Sequence, residues 1–259
     1  MNITDQLNRP IILPDVPKRI ISLVPSLTEL LCDLGLESSI VGVTKFCVHP
    51  SHLRKQVTVV GGTKKVHVDK VAALKPDFVI ANKEENTKED IEAIEQLCPV
   101  YISDIKSPDD ATELINALGE VFDITPLTDN LNKQLQEVIP THLFENQRVA
   151  YLIWQNPYMT IGADTYIQSI LSTIGLDNAF SHLDRYPQIT NEDLKAANLD
   201  YVFLSSEPFP FKQKHIDTLA SHLPRAKIML VDGEAFSWYG TRLLKLGNYF
   251  PKLAESFQS

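Results

Sequence analysis

Asp77-Phe78-Val79-Ile80-Ala81-Asn82-Lys83-Glu84 returns later in the chain as Asp200-Tyr201-Val202-Phe203-Leu204-Ser205-Ser206-Glu207, with both ends of the stretch displaced by 123 positions. Each copy is a short apolar run bounded by polar residues, the pattern of a strand buried on both faces of a parallel sheet. Leu34-Gly35-Leu36 is echoed by Ile174-Gly175-Leu176 at an offset of 140, so the copies differ by loop insertions. Any α/β protein repeats an apolar strand and a polar turn. The shared order of helix, Asp, strand and Glu reads better as a duplication.

Between the copies lies residues 125–140. Thr125 suits an N-cap, Pro126 fits the first helical turn, and Leu127, Leu131, Leu135 and Val138 make one apolar stripe before Pro140 stops the helix. Its length of roughly 20 Å suits a brace and not a flexible tether. The expected organisation is an N-terminal lobe over 1–122, a connecting helix within 123–146, and a C-terminal lobe over 147–259.

Outward from these stretches, strands and helices alternate, which implies an α/β fold of two Rossmann-like parallel-sheet lobes joined by one rigid helix. Residues 3–13 read as a hairpin and 19–24 as a buried strand closed by Pro25. Ser26-Leu27-Thr28-Glu29 has the spacing of a capping box. Residues 45–62 form a long irregular stretch with Phe46, His49 and His52. Asp69 and the Thr190-Asn191-Glu192-Asp193 motif each open a short helix. Residues 154–158 and 232–240 read as aromatic loops, and a closing helix runs over 241–250.

The chain has 259 residues, 44% hydrophobic and 22% charged, enough for two domains of about 120 residues. A net charge of −9 argues against a phosphate-binding surface, so nucleic acid is not an expected partner. Cys32, Cys47 and Cys98 form no CxxC pair, and the histidines make no HxH or HExxH spacing, so no metal site and no covalent cofactor are expected. Cys32 and Cys98 read as small buried residues, and only Cys47, in a loop near His49, is ambiguous. No apolar run is long enough to cross a bilayer. Met1-Asn2-Ile3-Thr4-Asp5 lacks a basic start, an apolar core and a lipidation Cys, which points to the cytoplasm or to an export signal already removed.

Ligands of open α/β sheets bind beyond the carboxyl ends of the strands. There the sequence places Glu84 and Glu85, Trp154 and Tyr158, Glu207 and Phe209, and Glu234, Phe236, Trp238 and Tyr239. Both tryptophans fall in these loops, as a stacking surface for a flat ligand or as packing against their own lobe. Glu84 and Glu207 follow equivalent strands and are expected to share a space. Glu207 is otherwise a helix cap or the partner of Lys212. Arg242 meets an anionic ligand or pairs with Glu234, and His49 is the one histidine retained as a ligand candidate.

The run from Arg19 to Glu29, the Leu34-Gly35-Leu36 turn, Val41-Gly42-Val43 and Ala73-Leu74-Lys75-Pro76-Asp77-Phe78-Val79 resemble the helical-backbone substrate-binding proteins of ABC importers for vitamin B12 and ferric siderophores, the cobalamin branch most. The resemblance covers nearly the whole chain. It implies a monomeric, non-catalytic protein, periplasmic or at the cell surface, that holds a metal chelate (a corrinoid or a ferric siderophore) between two lobes. It also implies an ABC permease as partner, with Asp69 and Glu192 as the acidic docking positions. Where that branch carries tryptophans, this chain has Thr63 and Asn82, and Tyr186 replaces a third. The competing expectation is a cytoplasmic metal chelatase or tetrapyrrole enzyme, for which His49 opposite Glu207 would be the base and acid pair.

Overall fold

A computed structural model describes residues 1–258. The chain divides into two compact units, the first made of Met1–Ile105, Asp109–Gln136 and Tyr239–Leu244, the second of Lys106–Pro108, Glu137–Trp238 and the chain from Lys245 on. The division falls inside the helix Thr125–Val138 and gives six residues of the C-terminal region to the first unit, where the sequence reading had an unbroken 147–259.

The first unit holds a five-stranded parallel sheet in the order Thr58–Val59, Ile40–Val43, Ile20–Ser22, Phe78–Asn82, Val100–Ser103. Every residue of Ile20–Ser22, Phe78–Asn82 and Val100–Ser103 is buried, as strands covered on both faces must be. Ile21, Leu23, Val79 and Ala81 pack with Ile91 and Ile94 of the helix Lys88–Glu95. The expected hairpin is present as Asn2–Thr4 paired antiparallel with Pro10–Ile12. Its turn residues reach the outer strand: Asp5 Oδ2 accepts from the Ile102 amide at 3.2 Å, and an Arg9 amino group donates to the Val100 carbonyl at 3.1 Å.

The second unit's sheet is mixed. Arg148–Trp154, Tyr201–Ser205 and Lys227–Val231 run parallel, but Tyr158–Thr160 pairs antiparallel with Arg148–Trp154 and then with Gln188–Ile189. The aromatic loop expected at 154–158 is thus the tight connection of a hairpin, and Tyr158 lies on a strand. The expected loop at 232–240 contains the helix Gly233–Ser237, started by the Asp232 carboxylate accepting from the Glu234 amide at 3.0 Å. The closing helix is broken at Gly247, whose φ of +53° turns the chain between Arg242–Leu246 and Tyr249–Gln258.

The repeated stretches carry the same local architecture. In the first unit the Asp77 carboxylate accepts from the Lys18 and Arg19 amides at 2.8 Å each, while the Arg19 guanidinium donates to the Leu74 and Lys75 carbonyls that end the helix Val68–Leu74. In the second, Asp200 accepts from the Arg148 amide at 2.7 Å, and the Arg148 guanidinium donates to the Ala197 carbonyl that ends the helix Asn191–Ala196. Each Asp pins the start of the neighbouring strand, and each Arg satisfies helix-end carbonyls that no intrahelical donor reaches.

The S-x-x-E box at Ser26 does not form. Pro25 occupies the first helical turn, so the helix Pro25–Asp33 starts at Val24 with no side-chain cap. Ser26 and Glu29 fall inside the helix, one turn apart, and serve the contacts described next.

Candidate functional site

At the carboxyl ends of the second unit's strands, Glu207 follows Tyr201–Ser205. Its chain direction is set by Ser205, whose hydroxyl donates to the Glu207 carbonyl at 2.6 Å and accepts from the Tyr151 hydroxyl at 3.2 Å. The Glu207 side chain is half-buried, and its Oε1 accepts from the Trp238 indole Nε1 at 2.9 Å and from the Ser237 hydroxyl at 3.1 Å. It neither caps a helix nor pairs with Lys212. Burial raises its carboxyl above the ordinary range, the two donors pull it down, and the charges of Glu234 and Asp232 push it up again. An open depression of about 590 Å³ is lined by Ser206, Glu207, Leu230, Val231, Asp232 and Glu234.

Trp154, 40% exposed, ends the first strand of this sheet, and its ring meets Phe209 edge to face at 5.5 Å. Phe209 in turn stands on Phe211 and His215, at 4.7 and 5.5 Å. This gives an aromatic cluster with Trp154 as its exposed member. Trp238 is buried, which withdraws it from a stacking surface and leaves it as the donor that orients Glu207. Tyr158 and Tyr186 are half-buried, Tyr186 with the Arg185 guanidinium 6.0 Å from its ring centre.

The first unit has its own polar cluster at the corresponding strand ends. Asn82 is buried, and its Oδ1 accepts from the Glu84 and Glu85 amides at 2.8 and 3.2 Å, bending the chain into the loop that carries half-buried Glu84. Its Nδ2 donates to the Ser103 hydroxyl at 3.1 Å and lies 3.5 Å from the Tyr239 hydroxyl. Asn82 therefore builds the loop. Tyr239 is buried and also bonded to Ser26 and Ser103, and burial pushes its phenol up to about 12.

Arg242 pairs with Glu29 at 2.8 Å, with side chains only 12% and 4% exposed, a partner the sequence did not suggest. Thr241 donates to Asp33 at 2.5 Å. Residues 239–244 are thus anchored on one face of the helix Pro25–Asp33, a contact that no local spacing announces. The sequence reading also missed Ser26, Glu29, Ser103, Asp232 and Ser237. Of these only Ser26 and Glu29 left a signal, and it was taken for a cap.

His49 is half-buried in the segment before the helix Leu53–Gln56. Cys47 is buried, accepts from Thr28 at 3.0 Å and lies 3.2 Å from Thr44, and burial raises its thiol, so it is a core residue and no nucleophile. Asp69 and Glu192 are both exposed, each in the first turn of its helix and each eight residues before the repeated Asp. A second depression, of about 420 Å³, is lined by Arg9, Ile12, Leu97, Cys98 and Val100 among others. It lies where Val100–Ser103 begins, the wrong end of the sheet for a ligand of this architecture.

Among the described residues no helix is long and apolar enough to cross a membrane. The chain is 29% identical over 216 residues to the uncharacterised ABC transporter substrate-binding lipoprotein YvrC of Bacillus subtilis, covering 78% of this chain and 68% of the relative. Its fold matches the periplasmic vitamin B12-binding protein BtuF of Vibrio cholerae with a TM-score of 0.80, over 95% of this chain and all of the other, at 21% identity. It matches a periplasmic heme-binding protein of Pseudomonas aeruginosa with a TM-score of 0.77, over 93% and 92%, at 20% identity. The periplasmic binding protein family matches residues 20–227, four-fifths of the chain, and the protein belongs to that family.

Proposed function

We propose that the protein delivers a metal chelate of the corrinoid or porphyrin kind to an ABC importer, acting outside the cytoplasmic membrane. The observation that carries the ligand class is the Trp154–Phe209 ring pair two residues from Glu207 in the chain: an apolar aromatic surface with one oriented carboxylate suits a large, rigid ligand with polar groups on its rim. Structural neighbours that bind vitamin B12 and heme support the same class. Glu84, Tyr158, Tyr186, Glu234 and His49 are the further candidates for ligand contact, and within the first unit Asn82 and Tyr239 hold the loop that carries Glu84. Asp69 and Glu192 take the permease: exposed acids in helix first turns are held there by the helix dipole and stay available to basic side chains. The chelatase reading falls, because the family consists of transport components without catalysis.

The test is titration of the purified protein with vitamin B12, heme and a ferric siderophore, followed by tryptophan quenching and calorimetry. Stoichiometric binding of vitamin B12 or heme at about 1 μM or tighter, roughly −8 kcal/mol, supports the reading, and binding of the siderophore alone refutes the corrinoid or porphyrin class. Absence of binding to all three refutes it.

A further inference from the structure

We propose that the first unit carries a docking surface for an anionic lipid membrane, built along its edge strand Thr58–Val59. Residues 45–70 are a tenth of the chain, yet they hold six of its 24 lysines and arginines and only one of its 33 acids, Asp69. In a chain of net charge −9 the balance is thus reversed locally, which whole-chain composition conceals. The six cations, Lys45, Arg54, Lys55, Lys64, Lys65 and Lys70, are all exposed. Among the described residues none of them enters an ion pair.

The fold gathers them along one margin of the sheet. Lys45 follows the strand Ile40–Val43, and its amide donates to the Gly61 carbonyl at 2.8 Å. The Arg54 guanidinium donates to the Lys45 carbonyl at 2.6 Å, and Lys55 lies on the same short helix, Leu53–Gln56, which leads into the edge strand. Lys65 pairs with Gly62 in a two-stranded ribbon, and Lys70 Nζ reaches the Val59 carbonyl at 3.4 Å. Lys64 stands at the rim, donating to the Glu84 carbonyl and within the field of Glu85. Phe46, 49% exposed, lies against Gly62 with the Lys45 Nζ 4.9 Å from its ring centre.

Lysines at an edge strand also discourage pairing with another chain, but that purpose needs neither cations on the preceding helix nor an exposed aromatic ring among them. Strung along a margin and not converged on a point, the charges suit a fluid sheet of phosphates better than a single anion. A ring that enters the headgroup layer, with lysine stems lying beside it and ammonium groups meeting phosphates, is the chemistry of an interfacial anchor. Each basic residue close to an anionic surface strengthens binding by about fivefold, and salt screens the effect. The inference rests on the reading just given for its place beside a membrane: Asp69 belongs to the same stretch, so seating it on a permease sets these lysines against the surrounding lipid.

Cosedimentation with vesicles, with no chelate present, is the test. The wild-type protein should bind vesicles of phosphatidylglycerol and phosphatidylcholine, bind phosphatidylcholine alone about tenfold more weakly or less, and be released as salt is raised. Lys45→Glu, Lys65→Glu and Lys70→Glu together should weaken binding to the anionic vesicles by about tenfold or more. Lys88→Glu, Lys133→Glu and Lys195→Glu together change the net charge equally but lie outside the stretch, and should weaken it by less than about threefold. Phe46→Ser should weaken it by about fivefold with the circular dichroism unchanged, and keeps the test open should a triple variant fold poorly. No binding to the anionic vesicles, equal binding to both compositions, or equal losses in the two triple variants overturns the inference. Capture of polyglutamate without vesicle binding overturns it in favour of an acidic protein surface. The chelate titration succeeds or fails independently of every one of these outcomes.

Discussion

Replacing Trp238 by Phe deletes one donor to Glu207 and leaves a half-buried carboxylate with Ser237 alone. A hydrogen bond to a charged group contributes about 1.5–3 kcal/mol, against about 0.5–1.5 kcal/mol when both partners are neutral. Trp238 is only 7% exposed, so removing its indole also costs packing that has nothing to do with Glu207. The two contributions separate in a double-mutant cycle, because the packing loss appears in both backgrounds and cancels. Trp238→Phe should therefore cost about 1 kcal/mol more in the wild type than in a Glu207→Gln background at neutral pH. Urea unfolding followed by far-ultraviolet circular dichroism is the suitable assay, since the substitution removes one of the chain's two tryptophans. The excess should shrink in acid as Glu207 takes up a proton. Equal costs in the two backgrounds, to within about 0.3 kcal/mol, would refute the charged hydrogen bond as the reason Trp238 sits where it does.

Three further outcomes are expected. Burial raises the Glu207 carboxyl, so the folded chain binds that proton more readily than the unfolded one: its contribution to stability is fully present below the ordinary carboxylate value of about 4.3 and is lost as pH rises through the raised value. The stability of Glu207→Gln relative to wild type should thus increase with pH across that window, and a flat difference in urea midpoints would contradict it. Arg242→Met should destabilise by about 3–5 kcal/mol by removing the guanidinium that pairs with Glu29 in the interior, and adding Glu29→Gln should recover most of the loss; a cost under about 1 kcal/mol would mean the pair is screened by water. Asp69→Lys with Glu192→Lys should abolish uptake by cells carrying the cognate permease and leave the ligand dissociation constant unchanged, whereas a weakened constant would assign these acids to the ligand site.

The framework of buried strands was readable because burial on both faces writes itself as an apolar run, and Phe78–Asn82 and Tyr201–Ser205 are such runs. The capped helices after Thr87 and Thr190 were readable for a similar reason, since each hydroxyl serves an amide three residues away, Asp90 and Asp193. What escaped were arrangements set by distant partners. Ser26 and Glu29 have the spacing of a cap, yet Pro25 moves the helix start and their partners lie more than 200 residues on. Trp238 and Tyr239 are adjacent aromatics that read as one surface. The structure assigns them to different units, because one donates to Glu207 while the other sinks into the hydroxyl cluster of Ser26 and Ser103. Local pattern reports periodicity and turn chemistry, and it is silent on which unit a loop will join.

The placement of residues 239–244 in the first unit bears on how this chain is made. Synthesis runs from the N-terminus, and domains commonly fold as they emerge. Here the first unit's sheet is translated by residue 103, but the cation for buried Glu29 and the phenol that closes the Asn82 cluster arrive only at Arg242 and Tyr239. A nascent chain halted after the connecting helix would hold a nearly complete sheet without the guanidinium that pairs with buried Glu29. Completion of the first-born unit therefore waits until the second unit's sheet has been synthesised, because residues 239–244 follow its last strand.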